Sequence, residues 1–153
     1  MRLRFVDRLV ALEPRRKITV EKCVSFEEAM LLRPGLARGA PATLMLEWLG
    51  QATQLLVAES TDYALLPLIG SFAYCTIYTS LGAGEVATVE VDVQSWHETE
   101  AMVHGTVRTK ETTALHIERA ACAFVPLAEL CDPAELRAAA RAARGEFPGP
   151  VRA

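Results

Sequence analysis

Hydrophobic residues recur with a helical period between Pro41 and about Glu59. Proline suits the first turn of a helix, and Gly50 is the only other helix-breaking residue in this stretch. Apolar side chains cover almost the whole circumference of the predicted helix, at Leu44, Met45, Leu46, Trp48, Leu49, Ala52, Leu55, Leu56 and Val57. A helix that is apolar all round is typical of a buried element. The pattern therefore predicts the longest helix of the protein, enclosed by the rest of the chain.

Alternating patterns predict the strands that enclose this helix. Four runs are rich in Val, Thr and aromatic residues and are separated by short polar or glycine turns, at residues 71–80, 85–94, 100–109 and 113–125. We interpret these four runs as an antiparallel meander. Before the helix, alternation at Ile18 and Val20 predicts another strand, and Pro14 predicts a turn after a shorter one. The chain therefore opens with a hairpin.

Two capping patterns predict further helices. Ser25 is followed three residues later by Glu28, which is the capping-box pattern, so a short helix should continue to about Leu32. Asp132 precedes Pro133 and an alanine-rich run, which favours a C-terminal helix. Together these elements predict an α+β fold in which one curved antiparallel sheet surrounds one long central helix.

Length and composition are those of one domain. The chain has 153 residues, 51% of them hydrophobic, which is enough to bury a core without disulfides or metals. We assign residues 1–130 to the main domain and residues 131–153 to a C-terminal helix and tail. The cysteines show no CxxC or Cys/His spacing, so we expect reduced structural thiols and no metal site.

The distribution of charge argues against several classes of partner. The formal net charge is only -3 and the basic residues are scattered, which does not favour nucleic acid or anionic lipid. Arg2, Arg4 and Asp7 interrupt the apolar stretch that a secretory signal needs. Charged and amide residues between positions 36 and 69 break every window long enough to span a bilayer. We therefore expect a cytoplasmic protein that does not enter membranes.

A single line of polar residues interrupts the apolar central helix. Thr43, Glu47, Gln51 and Gln54 are spaced four, four and three residues apart, so they share one helix face. A carboxylate on a buried helix loses hydration and favours its neutral form, which suits proton transfer. An alternative is that Glu47 only hydrogen-bonds to backbone or to Gln51 at a dimer contact. The first interpretation makes Glu47 the leading candidate for a functional residue, whereas the alternative gives it a structural role only.

Three motifs resemble the (3R)-hydroxyacyl-[acyl carrier protein] dehydratases. Residues 5–14, FVDRLVALEP, resemble that family's opening "LVDRV…LEP". Residues 41–52, PATLMLEWLGQA, are similar to its "PGVLxxEALAQ", and Gly84-Glu85 is similar to its "PGD" turn into a strand. The likeness covers roughly residues 3–128 and leaves out the C-terminal helix.

This resemblance implies a hotdog fold for residues 1–130 and a homodimer, or a heterodimer with a hotdog paralogue, whose sites lie at the dimer interface. It implies that Glu47 is the catalytic acid and that Gln51, Thr43, Ala42 and Gly35 lie beside the substrate. No cofactor is implied, because the acyl group is carried on the phosphopantetheine of acyl carrier protein or coenzyme A. We further expect Glu47 and Gln51 to line an apolar tunnel for the acyl chain.

The histidine that the resembled family uses as a base is missing. Its His-Phe-Pro-Gly corresponds here to residues 32–35, LRPG, and the first 96 residues contain no histidine. Arg33 and Arg38 cannot replace it as bases because a guanidinium stays protonated. They could instead bind a phosphopantetheine phosphate or an acidic carrier protein. His97, His104 and His116 stand singly, which is more typical of core or surface histidines.

Three functions remain open from the sequence. The first is a dehydratase-like hotdog protein that acts on or binds acyl thioesters in fatty-acid, polyketide or aryl-polyene synthesis. The second is a non-catalytic subunit that pairs with an active paralogue bearing the histidine. The third is an acyl thioesterase in which Glu47 is the base or nucleophile.

Overall fold

The computed structural model describes residues 6–29 and 39–146. In chain order the elements are β1 (Arg8–Glu13), β2 (Lys17–Cys23), α1 (Phe26–Ala29), α2 (Ala42–Ser60), β3 (Leu65–Ile77), β4 (Val86–Trp96), β5 (Glu100–Arg108), β6 (Thr113–Pro126) and α3 (Pro133–Ala143), with one 3-10 turn at Leu127–Glu129. Within the described residues, the six strands form one sheet in the order β1-β2-β4-β5-β6-β3. Every neighbouring pair is antiparallel.

The sheet encloses α2, which contacts β2, β3, β4 and β5. Alternate side chains of the strands point at the helix and are buried, among them Ile18 and Val20 of β2 and Val89 of β4. On the helix, Trp48 and Met45 are completely buried. Each large apolar side chain removed from water in this way stabilises the fold by about 1.5–3 kcal/mol. The predicted curved antiparallel sheet around one central helix is confirmed.

Helix α2 packs closely against the sheet at Gly105 of β5. A Cβ atom built on Gly105 would lie 2.6 Å from Cδ2 of Leu49, a separation that real Cβ atoms do not show. Leu49 is 3% exposed, so its side chain already occupies the space that a larger residue at position 105 would need. The absence of a side chain at position 105 thus sets how near α2 lies to β5.

The prediction of a meander through β3, β4, β5 and β6 is correct for β4, β5 and β6 and wrong for β3. β3 pairs with β6 at the edge of the sheet, and β4 pairs with β2 instead. β3 also begins at Leu65, upstream of the predicted start at residue 71. Strands that are consecutive in sequence pair only about two-thirds of the time, so sequence order alone does not determine which strands are neighbours. Most side chains of β3 after Gly70 are exposed, which fits an edge position.

Both predicted helix caps are present in the structure. The backbone N–H of Glu28 donates to Oγ of Ser25 at 3.1 Å, and the N–H of Ser25 donates to the Glu28 carboxylate at 2.8 Å, forming a capping box. At the other end of the chain, Asp132 accepts a hydrogen bond of 2.8 Å from the N–H of Ala134 and caps α3. The expected continuation of α1 to about Leu32 lies outside the described residues.

Helix α3 is fastened to the C-terminal end of α2 by ion pairs. Arg144 lies 2.9 Å from the Glu59 carboxylate, which also accepts a hydrogen bond from the Tyr63 hydroxyl. Arg137 lies 3.0 Å from Asp62 and packs over the Tyr63 ring. Partial burial alone would raise the pKa of Glu59, but the hydrogen bonds and positive charges of its neighbours hold that pKa below its ordinary value of 4.5. Glu59 is therefore an ionised anchor for the C-terminal helix.

None of the helices in the described ranges is long and apolar enough to cross a bilayer. The four cysteines are free thiols. Cys122 is buried as expected, and burial raises its thiol pKa to about 11. The expectation of structural thiols is wrong for Cys23 and Cys75, whose side chains are exposed, because they lie at the end of β2 and on the edge strand β3.

Candidate functional site

An open groove runs along α2, between this helix and the edge strand β3. Its volume is about 310 Å3, at the small end of the range for ligand pockets. The helix contributes residues that share one face, and β3 contributes four apolar residues between Pro67 and Phe72. The lining consists of Thr43, Leu46, Glu47, Gly50, Gln54, Pro67, Leu68, Ile69 and Phe72. We call this feature the α2–β3 groove.

The N-terminal end of α2 is held in place by the loop after β3. The N–H of Ala40 donates to the carbonyl of Leu81 at 2.6 Å, which joins the two segments in an isolated β-bridge. A Cβ atom on Gly39 would lie 2.6 Å from Oγ of Ser80, so only glycine allows this close approach. Pro41 then begins the helix without a side-chain cap. The first turn of α2 therefore lacks a side chain of its own to pair with its free N–H groups.

Glu47 lies in the middle of the groove lining. Its position is five residues after Ala42, about 7.5 Å along the helix axis from the first turn. The Nε2 amide of Gln51 donates to Oε1 of Glu47 at 3.0 Å, as the alternative interpretation of the polar line allowed. This hydrogen bond fixes the carboxylate on the groove side of the helix and leaves its second oxygen Oε2 for another partner.

The expectation that Glu47 is buried is wrong for the single chain. Its side chain is exposed, and so is that of Thr43 at the groove's end. The reason is that this face of α2 points toward the outer edge of β3, where the sheet ends. Gln51 is buried at 3% exposure and lies beside the groove without lining it. The structure therefore has an open groove where the sequence predicted an enclosed tunnel.

Two glutamine oxygens next to Glu47 have no hydrogen-bond partner within the described part of the chain. They are Oε1 of Gln51 and Oε1 of Gln54, and both atoms are buried. Leaving a buried acceptor without a donor costs about 1–3 kcal/mol. Both oxygens are already shielded from solvent by the chain itself, so the folded protein carries this cost.

The remaining site predictions divide into two groups. Thr43 lines the groove, whereas the half-buried Ala42 packs against the hydrophobic core. Gly35, Arg33 and Arg38 lie outside the described residues. The helical spacing predicted that Thr43, Glu47 and Gln54 share one face of α2, and all three line the groove in the structure.

The groove wall on β3 was not predicted from the sequence. Pro67, Leu68, Ile69 and Phe72 form it, and three of these precede the predicted start of the strand. Pro67 is not typical of a central strand, because proline cannot donate in a sheet ladder. An edge strand tolerates proline. The uncharged residues before residue 71 were therefore the sequence signal for the earlier start of β3.

The three histidines do not line the groove. Nε2 of His104 lies 3.4 Å from Asp92, and Nδ1 of His116 lies 3.2 Å from the Thr106 hydroxyl. These partners alternate with residues buried against α2, so they belong to the outer face of the sheet. His97 follows the end of β4 and is exposed. Within one chain, no histidine stands opposite Glu47.

Comparisons with known proteins identify the fold. No family profile and no curated protein sequence matches the chain. Among solved structures, a Streptococcus mutans protein bound to acetyl-CoA aligns with a TM-score of 0.66 at 12% identity, over 82% of this chain and 94% of that one. A mutant of the fluoroacetyl-CoA-specific thioesterase FlK aligns with a TM-score of 0.66 at 11% identity, over 84% and 97%. A hypothetical thioesterase with coenzyme A from Streptococcus pneumoniae aligns at 0.60 and 11% identity, over 78% and 85%.

Two of these three neighbours are named as thioesterases, and the chain shares the hotdog fold with them. At identities of 11–12% the likeness extends to the fold and not to a shared activity. The narrower resemblance to the hydroxyacyl-carrier-protein dehydratases is not confirmed by these structures.

Proposed function

We propose that this protein binds acyl thioesters in the α2–β3 groove and hydrolyses them, with Glu47 as the catalytic carboxylate. The observation that carries the proposal is a carboxylate fixed by Gln51 in the middle of a mostly apolar groove. The structural neighbours add support, because their names include a fluoroacetyl-CoA thioesterase and proteins bound to acetyl-CoA or coenzyme A. Acyl-CoA is accordingly the substrate class that we propose.

In the proposed reaction Glu47 acts as a general base. Its free oxygen Oε2 takes a proton from a water molecule, whose oxygen attacks the thioester carbonyl carbon. The carbon–sulfur bond then breaks, and the departing thiolate recovers the proton from Glu47. The products are a carboxylic acid and coenzyme A. The uncapped first turn of α2, at Ala42 and Thr43, offers N–H groups and a positive helix end to stabilise the negative carbonyl oxygen.

We also propose that two copies of the chain pair along β3. The outer edge of this strand has no strand partner within the described residues, and the segment from residue 65 to residue 80 carries no charged side chain. Natural edge strands are usually protected by charges, proline or β-bulges against pairing with another strand. In β3, Pro67 and the bulge at Gly70 protect only the first half, and no charged side chain protects the rest. Phe72, Tyr74 and Ile77 are also about half exposed or more. Antiparallel pairing of two β3 strands would cover these side chains and place the groove beside the second copy.

The experiment for the catalytic role compares Glu47→Gln with the parent protein in acetyl-CoA hydrolysis. Loss of thioester absorbance is the suitable readout, because the exposed Cys23 and Cys75 would react with a thiol reagent. We expect kcat to fall by about a hundredfold to ten-thousandfold, the usual contribution of general base catalysis. Glu129→Gln is the matched control, because Glu129 is exposed and does not line the groove. Equal activity of Glu47→Gln and the parent would contradict the proposed role.

A second candidate, a dehydratase-like activity on 3-hydroxyacyl thioesters, is favoured by one observation. The hydrogen-bonded pair of Glu47 and Gln51 falls within the motif that resembles the dehydratases. This reaction also needs a base, and no histidine of the same chain stands at the groove. The readout is hydration of a short enoyl thioester, alone and after mixing with a histidine-bearing hotdog partner. Acyl-CoA binding with neither reaction would instead favour a non-catalytic subunit.

A further inference from the structure

The space behind the α2–β3 groove is filled, and this limits what the groove can hold. Ile69 and Phe72 line the groove on one side and a small internal void on the other. The void lies between α2 and the sheet, and its volume is about 10 Å3, roughly the room for one water molecule. Ile69 and Phe72 therefore form a wall with almost no free space behind it.

We infer that this wall restricts the protein to short acyl groups, an inference that rests on the proposed thioester site. A long acyl chain that starts at Glu47 has two routes. It can continue inward between α2 and the sheet, or it can leave the groove on its open side, past the second copy and into solvent. The inward route is closed by Ile69, Phe72 and the residues around the void.

The residues packed behind the wall leave Ile69 and Phe72 little room to move inward. Leu49 fills the space next to Gly105, where even a single added Cβ atom would approach Leu49 to 2.6 Å. Thr53 also borders the void, and its hydroxyl is used in a hydrogen bond of 2.8 Å to the carbonyl of Leu49. Side chains packed this closely do not yield volume without a loss of stability. The residues that set the chain-length limit are therefore Ile69 and Phe72 in front and Leu49 behind.

The inference predicts a break in the dependence of binding on acyl length. While methylenes enter the apolar groove, each one should improve affinity about fourfold. Once the acyl group reaches the wall, further methylenes stay in water and add nothing. The break should occur at about butanoyl or hexanoyl, because the groove also has to accept the thioester and Glu47.

The test measures binding of acyl-CoA esters from acetyl to dodecanoyl by calorimetry, using Glu47→Gln as the background to prevent turnover. In this background, Phe72→Ala removes the wall and Leu49→Ala enlarges the void behind it. We expect Phe72→Ala to move the break to longer chains and to improve octanoyl-CoA affinity at least tenfold, and we expect Leu49→Ala, added to Phe72→Ala, to move the break further. Leu130→Ala is the control, because Leu130 is 54% exposed and lines neither space.

The outcomes separate the length limit from the thioester site itself. Affinity that keeps rising to dodecanoyl-CoA without either substitution, or an unchanged profile in Phe72→Ala and Leu49→Ala, would overturn the length limit and leave the thioester site standing. Failure of every acyl-CoA to bind would overturn both. Leu49→Ala removes a buried side chain and Phe72→Ala removes a side chain at the proposed β3 pairing, so the stability and the oligomeric state of both variants are measured beside binding.

Discussion

A methyl group added at Gly105 should push α2 away from the sheet. The Cβ atom of Gly105→Ala would lie 2.6 Å from Leu49 Cδ2, whereas ordinary contacts lie at 3.4–4 Å. Relief requires a shift of about 1 Å by the Leu49 side chain or by the helix, in a region with almost no free volume. Overpacking of this kind costs about 1–3 kcal/mol. Replacing glycine in a strand returns about 0.5–1 kcal/mol, so we expect a net loss centred on about 1 kcal/mol and no larger than about 2.5 kcal/mol.

Urea unfolding at one fixed protein concentration measures this loss, since a dimer's stability depends on concentration. Gly70→Ala is the matched control on β3, because its Cβ would have only one neighbour, at 4.0 Å. We expect the control to be neutral or slightly stabilising. A Gly105→Ala variant as stable as Gly70→Ala would refute the close approach of Leu49.

A double-mutant cycle with Leu49→Ala tests whether the side chains at positions 49 and 105 compete for the same space. Alone, this truncation of a buried leucine should cost about 2–5 kcal/mol. Combined with Gly105→Ala, the two losses should not add, because the new methyl group then enters the space that Leu49 has left. We expect the pair to be at least about 1 kcal/mol more stable than the sum of the single effects. Additive losses would show that the two residues do not share this space.

Two further predictions concern the sheet edge and the C-terminal helix. The parent chain should be a dimer by light scattering at micromolar concentration, and Ile77→Lys should make it a monomer, whereas a monomeric parent would contradict pairing along β3. Glu59→Gln should lower the free energy of unfolding by about 1–3 kcal/mol at neutral pH, because it removes the charged partner of Arg144. Since the pKa of Glu59 is lowered in the folded state, its contribution is present above about pH 4.5 and is lost as the pH falls through the folded-state pKa. A stability difference between Glu59→Gln and the parent that stays constant down to pH 2 would contradict this assignment.

Much of the fold could be predicted because the hydrophobic and capping patterns of the sequence agree with which residues are buried and where the helices begin. The apolar circumference of α2 required an enclosing sheet, and the capping residues Ser25, Glu28 and Asp132 fixed helix starts that depend only on neighbouring atoms. The position of β3 could not be predicted in this way, because its pairing with β6 joins distant segments. Alternation shows that a segment is a strand but does not show which strand lies beside it.

The candidate site was predicted only where helical spacing alone decides which residues lie together. Helical spacing alone placed Thr43, Glu47 and Gln54 on one face, which the structure confirms. Whether that face is buried depends on where the sheet ends, so the exposure of Glu47 could not be derived from spacing. The opposite wall, from Pro67 to Phe72, depends on the edge position of β3 and was missed with it.

The most direct test of the central claim is a crystal structure of Glu47→Gln with acetyl-CoA. The account predicts that the acetyl thioester lies in the α2–β3 groove, within hydrogen-bond distance of residue 47 and next to Phe72. An acetyl group bound elsewhere, such as the hollow on the outer sheet face beside Tyr74 and Arg119, would contradict the account even if hydrolysis were observed.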